Sequence, residues 1–209
     1  MVTLYITRHG ETEWNLQKRM QGWCDSPLTI AGVKAAHALG KRLASISFNA
    51  VYASPSGRTV DTAQIICQNR QLPIFFKQQL KEIHVGEWQG MRAEDIKERY
   101  PQQYDAYYND PLHYHSIEGE SFLQVLERSV SLIDEITTKY DADATVLIVT
   151  HAVVKKLLIV YFNNQSIAHV WEPPFIHGTS LTIVHIDDGC VTIELIGDTS
   201  HIAQEALSY

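Results

Sequence analysis

Two histidines and two arginines stand where predicted strands end, and they are the first candidates for chemistry. Arg8 and His9 follow a short run rich in β-branched and aromatic residues, and His151 follows a continuously apolar run. Arg58 comes shortly after a third apolar run, where a helix is expected to begin. Guanidinium groups beside a helix N-terminus suit a small anion, and imidazole can attack or transfer protons near neutral pH. These residues predict catalysis on an anionic substrate.

The elements that must position these residues alternate between strand and helix. Short runs of β-branched and apolar residues predict strands over 2–7, 50–53, 73–76 and 145–150. Apolar residues at helical spacing predict helices over 29–45, 59–69 and 152–161, and a long helix capped by Ser121. Two more strands, 180–185 and 191–196, flank Asp187-Asp188-Gly189, which indicates a hairpin.

This order predicts an α/β fold, a three-layer α/β/α sandwich with a mostly parallel central sheet. Because ligands bind at the carboxyl ends of the strands in such sheets, His9 and His151 are expected at one edge. The absence of internal repeats and of Gly/Ser-rich linkers predicts a single domain over residues 1–209.

The segment at about 91–118 is polar and aromatic, and Pro101 and Pro111 divide it into short helical pieces. We expect it to be a lid-like insertion over one end of the sheet. It holds half of the chain's ten tyrosines: Tyr100, Tyr104, Tyr107, Tyr108 and Tyr114. Most of these are expected to form a small aromatic core. One or two are expected to cover an apolar or aromatic part of the anionic substrate.

Composition bounds the partners. The chain has 17 basic and 24 acidic residues and a formal net charge of −7, which argues against nucleic acid held by a basic field. Whole-chain charge governs long-range steering rather than a pocket, so a positive site remains compatible with this balance. Three cysteines without a C-x-x-C pair favour a reducing cytoplasm. The most apolar stretch, 145–162, contains His151, Lys155 and Lys156, which argues against a membrane span.

Five motifs resemble those of the histidine phosphatase superfamily, the phosphoglycerate mutase-like fold. Arg8-His9-Gly10-Glu11-Thr12, with Asn15 following, resembles the R-H-G-[ET]-x-x-x-N signature. The other four, in the expected order, are SPSGRTVDTA at 54–63, LKE with GEWQG at 80–90, GES at 119–121 and VTH at 149–151. The resemblance covers roughly residues 1–197 and is to the phosphatase branch, including broad-specificity phosphatases.

The resemblance implies a role for each matching residue. His9 is the expected nucleophile, which takes the phosphoryl group as a phosphohistidine. Arg8, Arg58 and His151 are expected to hold the phosphoryl oxygens, with His151 working best in its protonated form. Charge spread over three phosphoryl oxygens in the transition state is stabilised by such a cage without a metal or other cofactor.

Four further positions follow from the same resemblance. Asn15 is expected to add a neutral donor, and the backbone amide of Ala152 another. Gln21 is placed at the mouth of the site. Glu82 is expected to protonate the leaving alcohol, with a pKa raised beside a bound dianion. Two nearby carboxylates, Glu87 and Glu11, are its rivals for that role.

The remaining polar candidates favour structural roles. Glu120 is interpreted as a helix-start residue in the dipole field rather than a catalyst. His113 and His115 are the only close histidine pair outside the motifs, and they lack the other ligands of a metal site. A metallohydrolase is therefore disfavoured.

These inferences predict a cytoplasmic phosphomonoesterase of the histidine acid phosphatase type, acting on a small phosphorylated metabolite. One alternative is a cofactor-dependent phosphoglycerate mutase. The mutases that the chain resembles have adjacent arginines in the segment after Gly90, which clamp the substrate carboxylate. The mutase is disfavoured because Arg92 and Arg99 are the only arginines between Gly90 and Glu118 and are not adjacent. Another is a non-catalytic phosphate-binding module, which has no need of an acid such as Glu82. The natural substrate stays open among sugar phosphates, phosphoglycerate, nucleotide-like phosphates and α-ribazole phosphate, as does the oligomeric state.

Overall fold

The protein, seen in a computed structural model that describes residues 1–140 and 143–202, is built on a six-stranded sheet. The strands are β1 (Val2–Arg8), β2 (Ala50–Ala53), β3 (Ile74–Phe76), β4 (Ala144–Thr150), β5 (Leu181–Asp187) and β6 (Cys190–Asp198). Their spatial order is β3-β2-β4-β1-β5-β6. The first four are mutually parallel, and the β5–β6 hairpin is antiparallel. The predicted mostly parallel α/β sheet is confirmed.

Helices cover both faces of this sheet. They are α1 (Glu13–Leu16), α2 (Ile30–Arg42), α3 (Gly57–Cys67), α4 (Ala93–Arg99), α5 (Pro101–Asn109), α6 (Phe122–Lys139) and α7 (Ala152–Phe162). Alternate residues of β4 enter two separate cores: Val146 and Ile148 pack with α6 and α7, whereas Leu147 and Val149 pack with α2 and α3. Side chains of a strand alternate between faces, so this division produces the three predicted layers.

Local signals predict the first residues of α2, α6 and α7 correctly, whereas α2 and α3 end two to three residues before their predicted ends. Thr29 caps α2 by accepting from Gly32 N–H, and Ser121 forms a capping box with Gln124 at α6. The α3 helix begins at Gly57, two residues before the predicted start. Its first turn is supported by the distant Asp25 carboxylate, which accepts from the Arg58 N–H at 3.3 Å. A cap supplied from another segment leaves no local pattern to detect.

The segment at 91–118 forms α4 and α5, with Pro101 as the first residue of α5. Tyr107 and Tyr114 are buried against Trp88 and Phe122, so part of this segment belongs to the main core. Residues 141–142 and 203–209, which the predicted domain includes, lie outside the described residues. No helix within 1–140 and 143–202 is both long and apolar enough to cross a membrane.

Candidate active site

Pairing of β1 with β4 brings the two predicted catalytic histidines together. Arg8 lies opposite Thr150 in this parallel pair, so the next residues of both strands leave the sheet side by side. His9 N–H donates to the Thr150 carbonyl at 2.9 Å, and the rings of His9 and His151 have centroids 5.3 Å apart. The sheet topology therefore builds the centre of the site.

The hydrogen bonding of His9 fixes which nitrogen can react. Its Nδ1 lies 2.7 Å from the Gly10 carbonyl oxygen, and because a carbonyl only accepts, Nδ1 carries the proton. The neutral ring then has its lone pair on Nε2. Burial lowers the pKa of His9 well below its ordinary value, and the charges of Arg58 and Arg8 lower it further. The imidazole is thus held neutral, the form that a nucleophile needs.

His151 is fully buried next to His9 and does not itself line the cavity. Its Nε2 lies 2.8 Å from Ser54 Oγ, and its Nδ1 has no partner among the described residues. Burial lowers the pKa of His151 well below its ordinary value, as do the charges of Arg58, His9 and Arg8. Within the chain alone these neighbours favour the neutral form, so the expected imidazolium requires the added charge of an anion.

Arg58 is 1% exposed and is held by the loop after α1. Its Nη1 donates to Asp25 at 2.9 Å and to the Cys24 carbonyl at 2.8 Å, and its Nη2 donates to the Gly22 carbonyl at 2.9 Å. The sequence interpretation did not predict this contact of Asp25, whose carboxylate binds the Arg58 guanidinium and supports the first turn of α3.

Arg8 and Arg58 each have a buried N–H group without a hydrogen-bond partner among the described residues. Arg8 donates through Nη1 to the Ile176 carbonyl at 2.8 Å. In the described part of the chain, the buried Nε atoms of Arg8 and Arg58 have no hydrogen-bond partner. A buried donor without a partner destabilises the folded protein. Burial and the charge of Arg58 lower the pKa of Arg8, and the charge of Glu82 partly offsets this by raising it. An anion bound between the guanidiniums would satisfy these donors.

Glu82 is the one of the three candidate carboxylates that lines the cavity with His9. Its Oε1 accepts from Ile83 N–H at 3.0 Å, and its Oε2 accepts from Val153 N–H at 3.4 Å. Burial raises the pKa of Glu82, and these N–H groups and the arginines only partly counter it. The predicted rise is therefore present before any phosphate adds its charge. Glu87 instead accepts from Tyr100, and Glu11 from Thr29.

The secondary candidates Asn15, Gln21 and Ala152 also line the cavity. Asn15 Oδ1 accepts from Thr12 in the capping box of α1, an arrangement that keeps its amide group fixed. Gln21 is buried and donates to Thr12 Oγ1 at 2.8 Å. Ala152 begins α7, where the N–H groups of the first turn have no helical acceptor.

The cavity has a volume of about 500 Å³, and part of its wall is aromatic. Its wall includes Tyr107, Tyr108, Trp171 and Phe175. Trp171 is tied to the insertion by an Nε1 bond to the Tyr107 carbonyl at 2.5 Å. The sequence interpretation expected one or two tyrosines here, and Trp171 and Phe175 were missed because they come from a loop some 60 residues further on.

Two cationic side chains, Lys156 and Arg19, also line this cavity. Lys156 is 7% exposed and donates to the Glu172 carbonyl, and Arg19 donates to the Gly90 carbonyl at 2.6 Å. Neither Arg92 nor Arg99 lines this cavity. Within the described ranges, no three side chains of His, Cys, Asp or Glu come together as ligands for a metal ion.

Comparison with known proteins identifies the family to which this chain belongs. The family model of the histidine phosphatase superfamily (branch 1) matches residues 4–199. The chain therefore belongs to the histidine phosphatase superfamily. Phosphoserine phosphatase 1 of Hydrogenobacter thermophilus is 28% identical over 207 residues, 98% of this chain and 96% of the relative.

A second relative and a solved structure are also similar to nearly the whole of this chain. A metal-independent phosphoserine phosphatase of Arabidopsis thaliana is 32% identical over 206 residues, which cover 96% of this chain and 83% of the relative. The solved structure of Bacillus stearothermophilus YhfR matches with a TM-score of 0.94 and 42% identity, covering 97% of this chain and all of that one (100%). The predicted family, fold and function class, a phosphomonoesterase, are confirmed.

Proposed function

We propose that this phosphomonoesterase is of the histidine acid phosphatase type and hydrolyses small phosphate esters through a phosphohistidine on His9. The observation that carries the proposal is the orientation of His9: its Nδ1 proton is bound by Gly10, which leaves Nε2 as the nucleophile in the cavity that Glu82 also lines. The sheet and helices act as one catalytic domain in this proposal, with no second domain required.

The first half of the reaction transfers the phosphoryl group to the enzyme. The Nε2 lone pair of His9 attacks phosphorus, and the P–O bond to the alcohol breaks. Glu82, whose pKa is raised by burial, gives its proton to the departing oxygen. Arg8, Arg58 and the N-terminus of α7 stabilise the charge on the phosphoryl oxygens.

The second half returns the enzyme to its starting state. Glu82, now a carboxylate, takes a proton from water, and the water oxygen attacks phosphorus. The P–N bond breaks, its electron pair returns to Nε2, and inorganic phosphate leaves. Charge on His151 balances the phosphoryl group in both halves, since a bound dianion opposes the neighbours that lower the pKa of this histidine.

The shape of the cavity favours a class of small metabolite as partner. Tyr107, Tyr108, Trp171 and Phe175 offer flat apolar surface beside the leaving group. We propose that esters with an apolar or aromatic alcohol are preferred over small polar ones, because their burial releases ordered water from this wall.

A panel of phosphate esters tests the function. We expect release of inorganic phosphate from several esters, highest kcat/KM for aryl and other apolar esters, and no turnover by His9→Ala. A parallel assay follows conversion of 3-phosphoglycerate to 2-phosphoglycerate. Isomerisation without phosphate release would establish the mutase alternative, and phosphate binding without any turnover would establish the binding module.

A further inference from the structure

The ion pair of Arg128 with Glu120 binds the chain segment that carries Glu82. Arg128, on α6, donates to Glu120 from Nε at 2.8 Å and from Nη2 at 2.9 Å. The same guanidinium donates to two backbone carbonyls of the segment, that of Gln79 at 2.7 Å and that of Glu82 at 3.0 Å. Both members of the pair are only 18% exposed. Two of the four hydrogen bonds from this guanidinium therefore hold the backbone to α6, and the other two bind Glu120.

Glu120 holds the other end of the same segment. Its Oε2 accepts from His84 N–H at 2.9 Å, and its own N–H donates to the His84 carbonyl at 2.8 Å. The Glu82 carbonyl receives a second bond, from Trp23 Nε1 at 2.8 Å. The backbone on both sides of Glu82 is therefore fixed by side chains that do not reach the reacting atoms.

The carboxyl group itself has weaker restraints. Its two oxygens accept from backbone N–H groups at 3.0 and 3.4 Å, and no charged side chain holds it within hydrogen-bond distance among the described residues. Its direction is consequently set by the backbone from which it extends. Proton transfer requires the acid within hydrogen-bond reach of the departing oxygen, and a displacement of about 1 Å can cost on the order of 100-fold in rate.

We propose that Arg128 and Glu120 are positioning residues for the general acid Glu82: their bidentate pair fixes the 79–84 backbone so that the carboxyl group meets the leaving oxygen. The inference deepens and rests on the proposed function. It replaces the interpretation of Glu120 as a helix-start residue alone, because the carboxylate is bound to Arg128 and His84 rather than left to the helix dipole.

The dependence on the leaving group tests this role. In Arg128→Met and Glu120→Gln we expect kcat/KM for an alkyl phosphate to fall roughly 10- to 100-fold, with less than about 3-fold loss for nitrophenyl phosphate. Nitrophenolate leaves without protonation, so a misplaced acid costs it little. Glu135→Gln, which removes the 2.6 Å ion pair of α6 with Lys77, is the matched control and should change neither ester. Thermal unfolding of each variant identifies simple loss of fold, and the isosteric Glu120→Gln supplies the test if Arg128→Met does not fold.

A double-mutant cycle separates positioning from general damage. If Arg128 acts through Glu82, adding Arg128→Met to Glu82→Gln should cost less than about 3-fold further for the alkyl ester, since interacting sites are not additive. Equal losses for both esters, or losses that multiply with those of Glu82→Gln, overturn the inference while Glu82→Gln alone remains selective. If Glu82→Gln is itself unselective, the acid role in the proposed function fails, and the inference falls with it.

Discussion

Ser54 Oγ and His151 Nε2 form a hydrogen bond of 2.8 Å, and both side chains are fully buried. A hydroxyl group can accept from a protonated ring, so Ser54 can stabilise the imidazolium that a bound phosphoryl group favours. Nδ1 of His151, which has no partner in the part of the chain that the structure describes, is then the ring nitrogen left for a phosphoryl oxygen. In the proposed mechanism we therefore expect Ser54 to act on phosphate through His151.

Ser54→Ala is expected to lower kcat/KM by roughly 10-fold, because a hydrogen bond to a charged group contributes about 1.5 kcal/mol or more. The control is Ser56→Ala, in the same loop, whose hydroxyl is 3.3 Å from Ser54 and makes no bond to His151. Steady-state kinetics on one aryl ester compare the two variants. Equal activity of Ser54→Ala and Ser56→Ala would show that the bond to His151 does not matter.

The pH dependence of the reaction follows from two shifted groups. His9 must be neutral, and its pKa is lowered by burial and by the arginines, so activity should rise with pH on a limb below pH 6.5. Glu82 must be protonated, and its pKa is raised by burial, so activity on an alkyl ester should fall on a limb above pH 4.5. The measurement is kcat/KM against pH for the wild type and Glu82→Gln. Persistence of the descending limb in Glu82→Gln would assign that limb to another group.

Glu82→Gln is also expected to stabilise the fold at neutral pH. A carboxyl group whose pKa is raised on folding binds its proton more tightly in the folded state, so stability is lost as pH rises from about 4.5 through the folded pKa. Gln has no such loss. Thermal unfolding of both proteins from pH 4 to 8 should show a gain for Glu82→Gln that vanishes at the acid end. A gain that is independent of pH would rule out titration of Glu82 as its cause.

Phe175 tests the aromatic wall at little risk to folding, since its side chain is 62% exposed and lines the cavity. Phe175→Ala should raise KM for naphthyl phosphate about 3- to 10-fold, the loss of an aromatic contact, and leave KM for a small alkyl phosphate unchanged. Phe76→Ala removes a phenyl ring of similar exposure, 49%, from β3 outside the cavity and serves as control. Equal KM values for naphthyl phosphate in both variants would remove Phe175 from the substrate site.

Sequence patterns were sufficient for the sheet and for the centre of the site. The runs that became β1 and β4 end at His9 and His151, and the rule that parallel strands present their carboxyl ends together places both histidines at one edge. The motif resemblance then identified Arg8, Arg58 and Glu82, all of which line one cavity. Residues fixed by strand ends are predictable because the backbone alone positions them.

The partners of these residues were not predictable, because side-chain packing between distant segments selects them. Asp25 reaches Arg58 across 33 positions, and Arg128 reaches the Glu82 carbonyl across 46. Lys155 is a charged residue within the apolar sequence of α7, and sequence alone would place its side chain at the surface. It is instead fully buried and donates to the Ser180 carbonyl at 2.5 Å. No local spacing encodes such contacts. They appear only when the layers are assembled.

Formation of the phosphoenzyme is the decisive experiment. In Glu82→Gln, nitrophenyl phosphate should still phosphorylate His9, whereas hydrolysis lacks its base, so the intermediate accumulates. Rapid mixing with ester carrying a radiolabelled phosphoryl group, quenched in alkali, should give close to one label per chain. The label should be stable in alkali, lost in acid, located on His9 by peptide mass spectrometry, and absent from His9→Ala. Label on another residue, or turnover by His9→Ala, would refute a phosphohistidine at His9.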